Sequence, residues 1–398
     1  MTRLWDKGCA VDAAILEFTV GEDWILDQRL VVHDVAASIA HARMLAAQKL
    51  ISAADAIAIT SALTDIGAAH ARGEWSIQPE EEDAHTALEA RLVAQLGEAG
   101  KRVHLGRSRN DQVLTAMRLW LRAEIAALAE MADCLAQAAE ALAARDGALP
   151  LPGYTHMQRA MPSTVGLWAG GFAAEFRDDA ASVRRLMARV ALNPLGSAAG
   201  YGVPFLPLDR SATSRELGFD APQEPVTACQ LSRGKSEAAF AFEASLLLQD
   251  IGRMAADLCL YATSEFAFVR LPHEFTTGSS IMPQKRNPDV FELLRARSAQ
   301  ASADLFAVLN VPAKLTSGYH RDLQLIKAPL FRMADVARGC TAILTHALAG
   351  VRFDAERCRV AMDPSLFATE EACKLVVQEG LPFRDAYQRI AARYGGAK

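Results

Sequence analysis

Apolar residues recur along this chain with a helical period. After Asp111, the residues Val113, Met117, Leu121, Ile125, Leu128, Met131, Leu135 and Leu142 follow one another mostly at three- and four-residue spacing, with Ala138 and Ala139 filling one gap. Such a stripe lets a helix bury one face. It predicts one long helix, ended by the Gly147–Pro150–Pro152–Gly153 cluster, because neither residue type continues a helix well. A second stripe runs from about Pro162 to Val190 through Trp168, Phe172, Phe176, Val183 and Leu186. A third spans about Ser232 to Phe268, and a fourth starts near Pro288 with Leu293, Leu294, Leu305 and Leu309. Helices this long leave more apolar surface than one short neighbour covers, so they predict a bundle completed by other subunits.

The flanks read as shorter helices. Asp34 to Leu50 has Asp34 as a plausible N-cap, and Ala53 to Ala71 repeats the pattern. A polar break, GEWSIQPEEED, follows, with Pro79 where a helix can start. A last short helical unit runs from about Val351 and contains EGLPFRDAYQRI. Few segments alternate with period two, and no Gly-x-Gly-x-x-Gly turn or Walker-type loop occurs, so a nucleotide-binding fold has little support. The reading is an all-α chain of three helical domains: 1–105, a central long-helix bundle at 106–350, and a short C-terminal domain at 351–398. Gly/Pro-rich connectors at 147–153, 193–207 and 276–288 separate the long helices.

Composition narrows the function classes. The 398 residues are 51% hydrophobic and 22% charged, which is ordinary for a soluble globular protein. The net charge is −5 and no block of five basic residues occurs, so a nucleic-acid partner is not expected. The seven cysteines show no Cys-x-x-Cys pair, and their odd number argues against a complete disulfide framework. A reduced, cytoplasmic setting fits. The start, MTRLWDKGCAVD, does not read as a secretory signal, and no uninterrupted apolar run approaches a membrane span. The nine histidines are dispersed, which gives no support to a metal site.

The candidate chemistry lies in the connectors. HLGRSRNDQ at 104–112 puts two arginines, a serine, an asparagine and an aspartate just before the first long helix. Arginines and a helix N-terminus together suit a dicarboxylate ligand; a solvated loop with Asp111 as helix cap is an equal alternative. In LPGYTHMQRAMP at 151–162, His156 stands between two proline-marked breaks beside Thr155. It can exchange protons near neutral pH, although a lone histidine is more often structural. In TTGSSIMPQKRNPDVFE at 276–292, Gly278, Pro283 and Pro288 exclude a regular helix and predict a loop. Ser279 and Ser280 offer hydroxyls and N–H groups, Lys285 a positive charge and Asn287 an amide donor. These are the groups that stabilise a carbanion whose charge spreads onto an adjacent carboxylate.

GSSIMPQKRNP at 278–288 resembles the signature loop of the fumarase/aspartase superfamily. GRSRNDQV at 106–113, PGYTHMQRAMP at 152–162 and EEDAHTALEARL at 81–92 are similar to the matching blocks of argininosuccinate lyases. The resemblance extends from about Leu4 to the C-terminus. It implies a homotetramer whose active sites are each shared between three subunits, acting on argininosuccinate to give fumarate and arginine. It implies no cofactor, because the carboxylate next to the reacting carbon is the electron sink. By the same resemblance Ser279 is the general base, Lys285 and Asn287 hold the aci-carboxylate, His156 helps protonate the departing nitrogen, and Glu292 orients His156. Arg107, Ser108, Arg109, Asn110 and Thr155 match positions around the fumarate half, Asp83 and His85 match the EDxH block, and Ser280 and Met282 belong to the serine loop. Tyr319, Gln324 and Lys327 match the substrate contacts of a Tyr…Gln…Lys pattern.

Some segments depart from the family pattern. LWDKGC stands where LWGGRF is usual, and FTVGEDWILD at 18–27 replaces a block that usually carries a serine near the amino-acid end of the substrate. The run Tyr319-His320-Arg321-Asp322 and the run Gln324-Leu325-Ile326-Lys327 also differ from the usual residues. These departures leave two rival readings: a related lyase releasing fumarate from another N-substituted aspartate, and a catalytically silent structural paralogue. Retention of Ser279, Lys285, Asn287, His156 and Glu292 argues against the second.

Overall fold

A computed structural model describes residues 12–394; the LWDKGC departure lies outside them. Helices dominate, and the described strands are few and short. Five helices exceed twenty residues: Arg109–Asp146, Val165–Arg185, Lys235–Tyr261, Asp289–Asn310 and Lys327–Gly350. The first four coincide with the four apolar stripes. The second stripe finishes as a 3-10 turn at Leu186–Val190. The third stops at Tyr261, short of Phe268, where the Thr263 hydroxyl accepts the Phe266 N–H and turns the chain. The fifth helix was not anticipated from the sequence, although Leu330, Phe331, Ala334, Ala337, Leu344 and Leu348 give it a buried stripe.

The chain divides into two compact units. One comprises the residues up to 127 together with 182–244 and 303–334; the other comprises 128–181, 245–302 and 335 onward. In the first unit, the helices Val31–Ala47, Ala53–Ala71 and Ala84–Leu96 share a core of Leu45, Ile59, Leu63, Leu88 and Leu92. Local signals fix their starts. Ser52 Oγ accepts the Asp55 N–H and donates to the Asp55 carboxylate, and Asp83 accepts the Thr86 N–H at 2.9 Å. Asp34 is not a helix cap as the pattern suggested. It lies inside the Val31–Ala47 helix, fully buried, where its carboxylate meets His85 and Ser38. The helical run Asp23–Ala47 has the length and mean hydropathy of a membrane span, and 61% of its apolar window is buried inside the protein.

In the second unit, the connector after the Arg109–Asp146 helix is a β-hairpin. Strand β1 (Pro150–Thr155) pairs antiparallel with β2 (Gln158–Thr164), with a register shift between Gly153 and Tyr154. The hairpin is seated by a close backbone crossing. A Cβ on Gly147 would lie 2.0 Å from the Ala143 carbonyl oxygen and 3.3 Å from Gly166 Cα, so only glycine fits there. Gly147→Ala is expected to lower stability by about 1–3 kcal/mol. Urea unfolding checks this, and an unchanged midpoint would mean that the crossing is not tight.

Candidate active site

In the second unit, the loop 276–288 is pinned at its base and open at its tip. Thr277 and Asn287 exchange backbone hydrogen bonds at 3.1 and 2.8 Å, and the Thr277 hydroxyl donates to Asp289. Asn287 Nδ2 donates to the Gly278 carbonyl at 3.4 Å. Within this clamp, Ser279 Oγ accepts the N–H groups of Met282 at 3.2 Å and Ile281 at 3.4 Å. Two N–H dipoles aimed at one hydroxyl oxygen favour its ionised form, as a serine base requires. Ser280, Met282 and Lys285 are exposed around it, and Glu292 is exposed in the first turn of the helix that follows.

The hairpin carries the other residues of this unit. Thr155 pairs with Gln158, and the two residues between them, His156 and Met157, have φ of 51° and 60°. That is the geometry of a two-residue hairpin turn with both residues left-handed, which glycine and asparagine normally supply. Holding a histidine there costs about 1–3 kcal/mol, and the result is an imidazole presented at an exposed tip. Among the described residues, no hydrogen bond or ion pair joins His156 to Ser279, Lys285 or Glu292.

The first unit holds a buried network of charges. Arg109 donates to Glu82 at 3.0 Å and to Asp83, and burial, which opposes its charge, is outweighed by these two carboxylates. Asp83 sits at about 2, because His85 and Arg109, with the Thr86 N–H, overcome a burial penalty that pushes the other way. Arg107 is buried and donates to Ser38 Oγ at 2.8 Å. Ser108 begins the longest helix: its N–H donates to Asp111 Oδ1 at 2.8 Å and its hydroxyl accepts the Asn110 N–H at 3.4 Å, a reciprocal cap. Asp111 also takes the N–H groups of Gly196 and Ala198 at 2.9 and 3.0 Å, so it ties down the 193–207 connector rather than facing solvent. The Asn110 carbonyl accepts from Gln230 at 3.3 Å.

Of the Tyr…Gln…Lys residues, Lys327 belongs to the same network. Gln324 Nε2 donates to the Tyr319 hydroxyl at 2.9 Å. Lys327 is buried and meets Asp27 at 2.6 Å and Asp23 at 2.9 Å. Asp27 Oδ2 in turn accepts the Ala84 N–H at 3.3 Å. Asp27 therefore links Lys327 to the Asp83–His85 segment. Sequence reasoning gave no site role to Asp23, Asp27 or Glu82 and took Asp34 for a helix cap. The available signal was an aspartate at 27 and another at 34, seven residues apart and so on one helical face, next to apolar positions.

His85 is buried, with Nδ1 on the Asp34 carboxylate. Burial alone would lower its pKa, but the Asp34 carboxylate, by charge and hydrogen bond, with Asp83 and Asp27 behind it, leaves the pKa raised. A raised folded-state pKa adds stability that is fully present below the unfolded value, about 6.5, and is lost as pH rises through the folded one. The wild type is therefore expected to lose stability with increasing pH above about 6.5, with a shallower slope in His85→Gln. Urea melts across pH 6–9 measure it, and parallel slopes would remove His85 as the titrating group.

A serine cradled by loop N–H groups, with a lysine and an asparagine on the same loop of a largely helical scaffold, offers the groups that an elimination-type lyase needs to take a proton beside a carboxylate. The sequence profile described as "Lyase" matches residues 10–302. An argininosuccinate lyase of Sorangium cellulosum is 49% identical over 98% of this chain and 90% of that protein. One from Thermotoga neapolitana is 38% identical over 100% of this chain and 99% of that protein. The chain belongs to the argininosuccinate lyase family. Among solved structures, EDDS lyase in complex with formate is 26% identical, with a TM-score of 0.83 over 96% of this chain and 76% of that one. The class II fumarase of Schistosoma mansoni, 18% identical with a TM-score of 0.81 over 96% and 88% of the two chains, shares the fold.

Proposed function

We propose that this chain eliminates fumarate from argininosuccinate and leaves arginine, without a cofactor. The observation that carries the reading is the Ser279 hydroxyl held against the Ile281 and Met282 N–H groups, on a loop that also carries Lys285 and Asn287. In the forward direction, ionised Ser279 takes the proton from the carbon next to a substrate carboxylate. The electron pair spreads onto that carboxylate, where Lys285 and Asn287 stabilise the added charge. The pair then forms the C=C bond as the C–N bond breaks, and the guanidino nitrogen leaves with its electrons and a proton. His156, exposed at its hairpin tip, supplies that proton, with Glu292 orienting it. Ser280, Met282, Thr155, Arg107, Ser108, Arg109 and Asn110 surround the fumarate half. Asp83 and His85 back the 107–110 segment, and Tyr319, Gln324 and the Lys327 cluster line the amine half.

The site is read as shared between three subunits of a homotetramer. Large apolar side chains left exposed on the long helices, among them Leu167, Leu293, Phe306 and Leu309, are the surfaces such packing would cover. The tetramer is read as having the central domain 106–350 as its bundle, flanked by 1–105 and 351–398. A cytoplasmic location fits the described cysteines, all of which are free.

The test is steady-state fumarate release, followed by absorbance, with argininosuccinate, adenylosuccinate, aspartate and malate. Turnover of argininosuccinate well above the others is the expected result. Release from a different compound alone would sink the substrate assignment, and release from none would favour a silent paralogue.

A further inference from the structure

Behind the 107–110 segment, the first unit contains an open chain of hydrogen bonds. Arg107 Nη1 donates to Ser38 Oγ at 2.8 Å, Ser38 Oγ donates to Asp34 Oδ1 at 3.3 Å, and His85 Nδ1 donates to Asp34 Oδ2. The chain begins on a guanidinium and ends on an imidazole. Each end keeps one polar atom without a hydrogen-bond partner, Arg107 Nε at the first and His85 Nε2 at the last. Arg107 is 7% exposed and His85 4%, so bulk water does not serve these atoms.

Both end groups line one small polar cavity of about 10 Å³, whose wall also includes Asp34, Ser38, Glu89 and Gln112. Gln112 adds a third unpartnered atom, Oε1, on a side chain that is equally buried. Buried polar atoms are seldom left unpaired, because desolvation without a new partner is unfavourable. Here three of them belong to side chains around one cavity, and a space of this size admits one water and nothing larger. The chemistry of the wall selects water too. A chloride would take the Arg107 N–H but would face the Gln112 carbonyl oxygen and the Asp34 and Glu89 carboxylates. A metal cation would face the Arg107 guanidinium. Water both donates and accepts, so it accepts from Arg107 Nε, donates to Gln112 Oε1 and meets His85 Nε2 in either protonation form.

We propose that one buried water closes this chain into a ring, bound by Arg107 Nε, His85 Nε2 and Gln112 Oε1, and that Gln112 is thereby a positioning residue for the segment between Arg107 and itself. Arg107 stands just before Ser108, Arg109 and Asn110, and Gln112 follows them in the first turn of the Arg109–Asp146 helix. The water therefore ties both ends of that segment to the buried Asp34–His85 pair. The proposal rests on the reading that residues 108–110 surround the fumarate half. It makes the ring a determinant of fumarate affinity.

The test has two arms, both on the full-length protein. In a crystal structure of the wild type at a resolution that shows ordered water, one peak is expected about 2.7–3.2 Å from the three named atoms. No peak there overturns the proposal, and so does an anomalous bromide peak at that point after a bromide soak, which marks an anion site. The second arm compares wild type, Gln112→Met and Ser38→Ala, with fumarate and arginine as inhibitors of argininosuccinate cleavage. Gln112→Met keeps the length of the side chain and removes the acceptor; Ser38→Ala opens the ring elsewhere. In each variant the inhibition constant of fumarate and KM for argininosuccinate are expected to rise about three- to tenfold, while kcat and the inhibition constant of arginine change far less. A merely structural loss would weaken both products together, and that result, or unchanged fumarate inhibition, overturns Gln112 as a positioning residue. If Gln112→Met does not fold, Ser38→Ala and the wild-type peak decide. A wild type that shows the water but releases no fumarate from argininosuccinate defeats the functional reading instead, which keeps the two failures apart.

Discussion

Ser279→Ala is expected to slow fumarate release by about a hundred- to ten-thousand-fold, the range lost when a positioned proton-transfer group is removed. The hydroxyl contributes little to the fold. Its partners are the N–H groups of Ile281 and Met282 in a loop that is largely exposed, and the loop base is held separately by Thr277, Asn287 and Asp289. The unfolding free energy should therefore stay within about 0.5 kcal/mol of wild type. Rate and stability are read on the same preparation, by fumarate absorbance and urea melts. A variant that keeps near-normal turnover overturns Ser279 as the base, whatever its stability.

Lys327→Met is expected to have the opposite signature, with stability lost as well as activity. Burial disfavours the Lys327 ammonium, and Asp27 and Asp23 outweigh that and keep it charged. Removing it leaves Asp27 fully buried, with the Ala84 N–H as hydrogen-bond donor and the more distant His85 as the remaining positive neighbour. Breaking one side of a buried ion pair costs about 3–5 kcal/mol, because the remaining charge is stranded. Adding Asp27→Asn to Lys327→Met removes the stranded charge and should recover part of the loss. Urea unfolding of the two variants checks both steps. A Lys327→Met protein as stable as wild type would contradict the buried cluster as described.

The long helices were legible because a stripe of large apolar residues at three- and four-residue spacing leaves few other ways to bury it. The serine loop was legible as a loop because Gly278, Pro283 and Pro288 exclude a helix, and residues 276–288 contain none. The Lys327–Gly350 helix is hard to read in the sequence because Pro329 stands in its first turn and Gly339 at its middle, two residue types that usually interrupt a helix. The hairpin at 150–164 was missed for a different reason. Its turn is His156-Met157, without the asparagine or glycine that announces a left-handed pair, and its strands carry three prolines. The charged network was the least legible part. Asp34 looks like a cap at the start of a helix, and only the fold, by bringing His85 to it, shows why an acid is buried there. Asp23 and Asp27 acquire their meaning from Lys327, three hundred residues away. Periodicity reports which face is buried; it does not report which distant charge will meet it.

The central claim is that the 276–288 loop delivers Ser279, Lys285 and Asn287 to the dicarboxylate half of argininosuccinate. A crystal structure of Ser279→Ala soaked with argininosuccinate tests it most directly. The account predicts residue 279 facing the carbon beside a carboxylate, with Lys285 and Asn287 on that carboxylate and the hairpin tip of a neighbouring subunit at the bridging nitrogen. Bound substrate with the 276–288 loop of every subunit beyond reach of it would contradict the account.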